Sequence, residues 1–198
     1  MYLQLISKEL RQVAIVSIFY CFSVYAVTIF IAPLQRLLIP EVTLFAALIF
    51  PPHGVRVLTA WFYGARSIAY LLIAAIFTHF VLFSSSDVTA KTWLSWVLIS
   101  SVAWLSFEII RLCGINLYKL KSNPTRNAWR SLILVGFISS ILNSLGHNII
   151  YAGEILPENT LGTLLAFIVG DTIGTFVCFI VIMLVFRFLA PRPTTISR

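Results

Sequence analysis

The chain has 198 residues, of which 60% are hydrophobic and only 11% charged, with a net charge of +7. Its mean hydropathy is +0.97, which leaves too little polar side chain to cover a water-soluble domain of this length. The apolar residues run in blocks near the roughly 20 residues that a helix needs to cross a bilayer core, not in the short alternating segments of a membrane barrel. These features point to an all-α, polytopic integral membrane protein.

Residues 1–12, "MYLQLISKELRQ", set Tyr2, Leu3, Leu5, Ile6 and Leu10 against Lys8, Glu9 and Arg11, the pattern of an amphipathic helix lying in the membrane interface. No small-residue cleavage site follows the first apolar run, so a cleaved signal peptide is not expected. Apolar blocks then fall at about 13–33, 43–64, 67–84, 93–112, 131–152 and 161–189. They predict six transmembrane spans in one domain over 13–190, followed by a short tail, 191–198. The second block contains "FPPHGVRVLTAWFYGAR". Pro51 and Pro52 remove backbone donors and crowd the preceding turn, so this span is expected to be broken at Pro51-Pro52 into two half-helices around Pro51 to Gly54.

Cytoplasmic loops collect Lys and Arg. With both termini on the cytoplasmic side, 12 of the 14 Lys and Arg residues fall on that side or in that half of the membrane, and only Arg36 and Lys91 lie outside. The outer loops then hold Glu41, Asp87, Glu154 and Glu158. The positive charge reads as membrane topology and contact with anionic lipid of the bilayer, and no nucleic-acid partner is expected. Cys21, Cys113 and Cys178 lie within or beside spans without metal-ligand or CxxC spacing, so they read as small packing residues. No motif identifies a cofactor, and no catalytic residue or metal ligand is expected.

The functional signal is the set of polar residues inside the spans, each costly in hydrocarbon and directed by that cost toward the bundle interior. Counting along each span at 1.5 Å per residue places His53 and Arg56 roughly 15–20 Å from the outer surface, Asp171 about 15 Å, Asn143 about 14 Å and His147 about 8 Å. An isolated ionised Asp171 would be strongly disfavoured there, so it is expected to be protonated or paired, and Arg56 is the nearest cation in depth. Such a pair would staple the second span to the sixth, or border a ligand or proton site open to the outside; alternatively Asp171 faces another subunit. "SSILNSLGHNIIYAG" repeats Ser139, Asn143, His147 and Tyr151 at four-residue spacing, a polar stripe on one helix face. His147 is its natural titrating member. "SFEIIRLCG" sets Glu108 and Arg111 three residues apart near the cytoplasmic surface, where a structural pair is expected. The last span carries Gly162, Ala166, Gly170 and Gly174 at four-residue spacing, a close-packing face for an internal contact or a dimer.

Two of these stretches carry a resemblance. "IFPPHGVRVLTAWFYGARSIAYLLIAAIF" and "VGDTIGTFVCFIVIMLVFR" are similar, in order and location, to the Pro-Pro-x-Gly and Gly-Asp-x-x-Gly segments of the MASE (membrane-associated sensor) type-one domain, a bacterial integral-membrane sensor module. The matching positions are Pro51, Pro52, Gly54, Gly170, Asp171 and Gly174. The resemblance implies a multi-span helical bundle in a bacterial inner membrane, in a family associated with kinase and diguanylate cyclase outputs. This chain is shorter than the usual domain and has no output module of its own, so any signal would pass to a separate partner. Three functions are therefore expected in competition: a sensor-like or ligand-recognition module, a substrate-capture subunit of a transporter, or a small accessory subunit of a larger membrane complex. The transporter subunit would need an energising partner, because no GxxxxGK[ST] is present.

The charge asymmetry makes a direct prediction. In intact cells an impermeant thiol reagent should label a cysteine placed at Asn159 and spare one placed at Asn123; the opposite pattern would invert the topology.

Overall fold

A computed structural model describes residues 2–38, 47–83, 88–121, 128–153 and 160–189. Glu41, Asp87, Asn123, Asn159, the Glu154–Glu158 loop, the outermost residues of the expected second span and the tail at 191–198 lie outside the described residues.

Apolar runs without internal proline form the long helices. α1 (Tyr2–Ala26) takes in the amphipathic start of the chain and passes without interruption into the first span. It continues through a π-helical turn, Val27–Ile31, into α2 (Ala32–Leu38). Pro33 has no N–H to give to the turn before it, and the hydrogen-bond ladder widens there, with Ala32 N–H donating to the Val27 carbonyl. α3 (Pro51–Tyr63), α4 (Arg66–Leu82), α5 (Ala90–Leu112), a 3₁₀ segment (Leu117–Lys121), α6 (Ala128–Ile150) and α7 (Thr160–Leu189) complete the described elements. No strand is present among the described residues.

Among the described residues, four helices are long and apolar enough to cross a membrane: the continuous run Gln4–Leu37, then Ala90–Leu112, Ala128–Ile150 and Thr160–Phe188. α4 is apolar but shorter, with 17 residues. α3 has 13 residues, about 20 Å of helix against a core of about 30 Å, and does not cross alone. The six apolar blocks thus correspond to four full-length helices and two shorter ones. Large apolar side chains such as Leu37, Leu112 and Phe188 are 83%, 87% and 84% exposed, a surface suited to lipid tails rather than water.

The shortest apolar helix holds the centre. α3 packs against α1, α4, α5, α6 and α7, and buries His53, Arg56, Val57, Thr59 and Ala60 among others. It begins at the two prolines, which occupy its first turn, where a missing N–H costs nothing. Phe50, just before them, is out of helical conformation at φ −123° and ψ 76°, as expected of a residue preceding proline. This refines the expected break: the chain departs from helix over 47–50, and Gly54 lies inside α3 rather than in the break.

Non-helical backbone at membrane depth must be satisfied within the protein. Leu48 N–H donates to Gln35 Oε1 of α2 at 2.8 Å, and Phe50 N–H donates to the Gly170 carbonyl of α7 at 2.9 Å. The segment lies on the glycine face of α7: a Cβ at Gly170 would run into the Ala47 carbonyl, and one at Gly174 into the backbone of Phe50. Farther along the same face, Cys178 meets Gly54 of α3. The small-residue stripe is therefore an internal seat at Gly170 and Gly174, whereas a Cβ at Gly162 would meet nothing within 4 Å.

Polar ties close the end of the bundle to which the basic loops belong. Arg66 binds Glu9 at 2.9 Å, and the Tyr70 hydroxyl reaches the same carboxylate, joining α1 to α4. Glu108 and Arg111 pair at 3.0 Å as their spacing anticipates, and Tyr118 O–H donates to Glu108 at 3.2 Å. Burial and then the Glu108 charge push the Tyr118 phenol up. Trp61 Nε1 donates to the Leu117 carbonyl and Lys121 Nζ to the Phe62 carbonyl, so the 3₁₀ segment covers the C-terminal end of α3.

The seat predicts a contrast between two glycines of one helix. Gly174→Ala should destabilise by at least the roughly 1–3 kcal/mol typical of overpacking, because it opposes backbone rather than a flexible side chain. Gly162→Ala should be neutral or gain up to about 1 kcal/mol of helix propensity. Unfolding midpoints in mixed micelles measure both, and equal effects would remove the seat.

Candidate functional site: a buried polar centre between α3, α6 and α7

Helical geometry from Pro51 onward fixes which way each polar residue of α3 faces. His53 and Arg56 are three residues apart, so they sit about 60° apart around the axis and one turn apart along it. His53 turns to α6 and α7; Arg56 turns to α1.

His53 is completely buried. Its Nδ1 lies 3.2 Å from Asp171 Oδ2, and its Nε2 lies 3.2 Å from the Gly136 carbonyl oxygen of α6. The Nδ1 contact is within ion-pair distance but off the line of a hydrogen bond. Asp171, only 2% exposed, also accepts a hydrogen bond from Asn143 Nδ2 at 2.7 Å. Its own carbonyl takes the Thr175 hydroxyl at 2.8 Å. α3, α6 and α7 therefore meet at one carboxylate.

Arg56 is 3% exposed. Its Nη2 donates to the Tyr20 hydroxyl of α1 at 3.0 Å, and its guanidinium lies 5.6 Å from the Tyr20 ring and 5.3 Å from the Phe50 ring, within cation–π range. Its Nε and Nη1 have no hydrogen-bond partner among the described residues. Asn143 Oδ1 and Ser139 Oγ are likewise buried and unpartnered.

The expected Arg56–Asp171 ion pair is not the one that forms. No contact within 4.0 Å joins them among the described residues, and Asp171 takes His53 instead. Depth along the membrane normal places both groups in one layer but does not say which face of α3 each occupies.

His147 lies one turn farther along the same stripe, toward the C-terminal end of α6. Its Nδ1 lies 2.9 Å from the Asn143 carbonyl, and its ring stacks on Phe167 and Tyr151 at centroid distances of 5.3 and 6.1 Å. Tyr151 in turn shares a 3.1 Å hydrogen bond with Ser95 of α5. The structure thus brings together His53, Asn143 and Asp171 by direct contact, with Arg56 beside them on α3 and His147 above Asn143 on α6. His79 is apart from them, in edge contact with Trp96 and Phe80.

Tyr20, Phe50, Gln35 and the Gly136 carbonyl complete the centre and carry no separate signal in the sequence. Tyr20 is one aromatic among several in "SIFYCFSVY", and a backbone carbonyl has no sequence signature. Pro51 and Pro52 start α3, Gly54 fits it against α7, and Gly170 and Gly174 seat the segment before it.

Comparison of the chain with protein-family models, curated proteins and solved structures finds no match. Any functional reading rests on the chain's own residues.

Removing one partner from a buried charge contact costs on the order of 3–5 kcal/mol. Asp171→Asn should therefore destabilise the protein more than Glu108→Gln, whose carboxylate is partly exposed. In double-mutant cycles, His53→Gln with Asp171→Asn should couple by about 0.5–3 kcal/mol, and more strongly than Arg56→Gln with Asp171→Asn. The reverse ranking would return Asp171 to Arg56.

Proposed function

We propose that this protein is a non-enzymatic, sensor-like ligand-recognition module of a bacterial inner membrane. It has six spans of MASE type-one character and cytoplasmic termini, and it acts through a separate output partner. The supporting observation is the centre itself: an arginine 3% exposed, with Nε and Nη1 unpartnered, one helical turn from a buried His53–Asp171–Asn143 cluster. Groups that are expensive to bury and left incompletely satisfied are typical of a site awaiting a ligand. A purely structural staple would be expected to satisfy its cation.

One observation favours a second reading. A non-helical segment at 47–50, seated against α7 beside buried polar groups, is also how secondary transporters build substrate sites. The chain would then be the substrate-capture subunit of a transporter. Isolation from native membranes in a mild detergent, with identification of stoichiometric partners by mass spectrometry, separates the readings. A co-purifying kinase or cyclase is the expected result; an ATPase would replace sensing by substrate capture, and a fixed set of other membrane subunits would make the chain an accessory component.

A further inference from the structure

We propose that the buried centre binds a proton and a small carboxylate-type oxyanion together, an inference that rests on reading this centre as the recognition site. It follows from counting hydrogens and charges around His53, Asp171 and Arg56.

Both ring nitrogens of His53 face acceptors. Nε2 faces the Gly136 carbonyl, which can only accept, so the hydrogen belongs on Nε2. A neutral imidazole carries one N–H; Nδ1 is then a bare acceptor 3.2 Å from Asp171 Oδ2, off the line of a hydrogen bond. If Asp171 is ionised, that oxygen is also acceptor-only, and two acceptor atoms lie 3.2 Å apart in a buried site with no hydrogen between them. One additional proton, on either Nδ1 or Oδ2, resolves the opposition. Holding it makes the His53–Asp171 pair neutral overall.

Arg56 is cationic in either case, since guanidinium does not deprotonate in proteins. With the pair neutral, the centre carries one positive charge uncompensated among the described residues, and Arg56 has Nε and Nη1 donors without hydrogen-bond partners there. A monoanion with planar oxygens suits guanidinium donors and cancels the charge. When the proton leaves, Asp171 itself compensates Arg56, and an added anion would leave the centre negative. Proton and anion therefore favour each other's binding, and by linkage the coupling is reciprocal.

The other titratable groups near the centre are Tyr20 of α1, His147 of α6 and Cys178 of α7, facing the Arg56 guanidinium, the Asn143 carbonyl and Gly54 respectively. From α4 and α5, Arg66 and Tyr70 are engaged with Glu9, and Glu108 with Arg111 and Tyr118, away from the centre.

The test uses the full chain in phosphatidylcholine nanodiscs, with acetate as the probe and acetamide as its neutral isostere, read by isothermal titration calorimetry in buffers of different ionisation enthalpy. Acetate should bind with uptake of about one proton, its affinity falling about tenfold per pH unit once the empty centre has lost its proton, while acetamide does not bind. Arg56→Lys should weaken acetate at least tenfold. Asp171→Asn should bind acetate without the pH dependence, and if that variant does not fold, the proton count on the unaltered chain decides alone. Acetate bound without proton uptake overturns the coupling. Equal binding of acetamide overturns the anion assignment while leaving a recognition site in place. No binding of either probe, with Arg56 Nε and Nη1 hydrogen-bonded to water alone in an experimental structure, overturns both the inference and the recognition reading.

Discussion

Everything in the centre of this protein depends on one close approach of backbone to backbone: the segment 47–50 lying on the glycine face of α7. Two glycines, Gly170 and Gly174, leave room for chain where any side chain would collide. In return the Gly170 carbonyl accepts the Phe50 N–H, a donor that lipid could not have satisfied. Because the segment is fixed there, α3 starts at a set height beside α7, and its second residue after Pro51, His53, is delivered to Asp171.

The remaining helices follow from that placement. α3 is too short to reach across a bilayer, yet it touches α1, α4, α5, α6 and α7 and makes a core toward its C-terminal end with Ala103, Phe107, Leu132 and Val135. Long helices supply the outer wall, whose apolar residues face outward. The π turn in the first helix and the Gln35 side chain beyond it serve the same end, since Gln35 receives the Leu48 N–H. Fixed backbone then permits expensive side chains: His53, Arg56, Asn143 and Asp171 are held with exposures of 3% or less.

Much of this was legible in the residues and some was not, for identifiable reasons. Hydropathy located the helices because apolar length is a one-dimensional property, but it overstated α3, whose apolar block is cut by Pro51 and Pro52. The four-residue spacing of Gly170 and Gly174 marked a close-packing face, while the occupant of that face comes from a segment more than a hundred residues away. Depth counting placed His53, Arg56, Asn143 and Asp171 in one layer. It misassigned the partner of Asp171 because charge suggested Arg56, whereas the turn of α3 presents His53 to α7 and Arg56 to Tyr20. The Gly136 carbonyl has no counterpart in residue type at all, and Pro33 marks the π turn without specifying it.

The central claim is that the seat of 47–50 on α7 hands Asp171 to His53. Dipolar-recoupling solid-state NMR on the protein in lipid bilayers, with nitrogen-labelled His and Arg and carbon-labelled Asp, measures it directly. The account predicts a strong coupling between His53 Nδ1 and the Asp171 carboxyl carbon, in keeping with the 3.2 Å separation of Nδ1 from Oδ2, and a weaker one from the Arg56 guanidinium nitrogens. A strong coupling from Arg56 with none from His53 would contradict it.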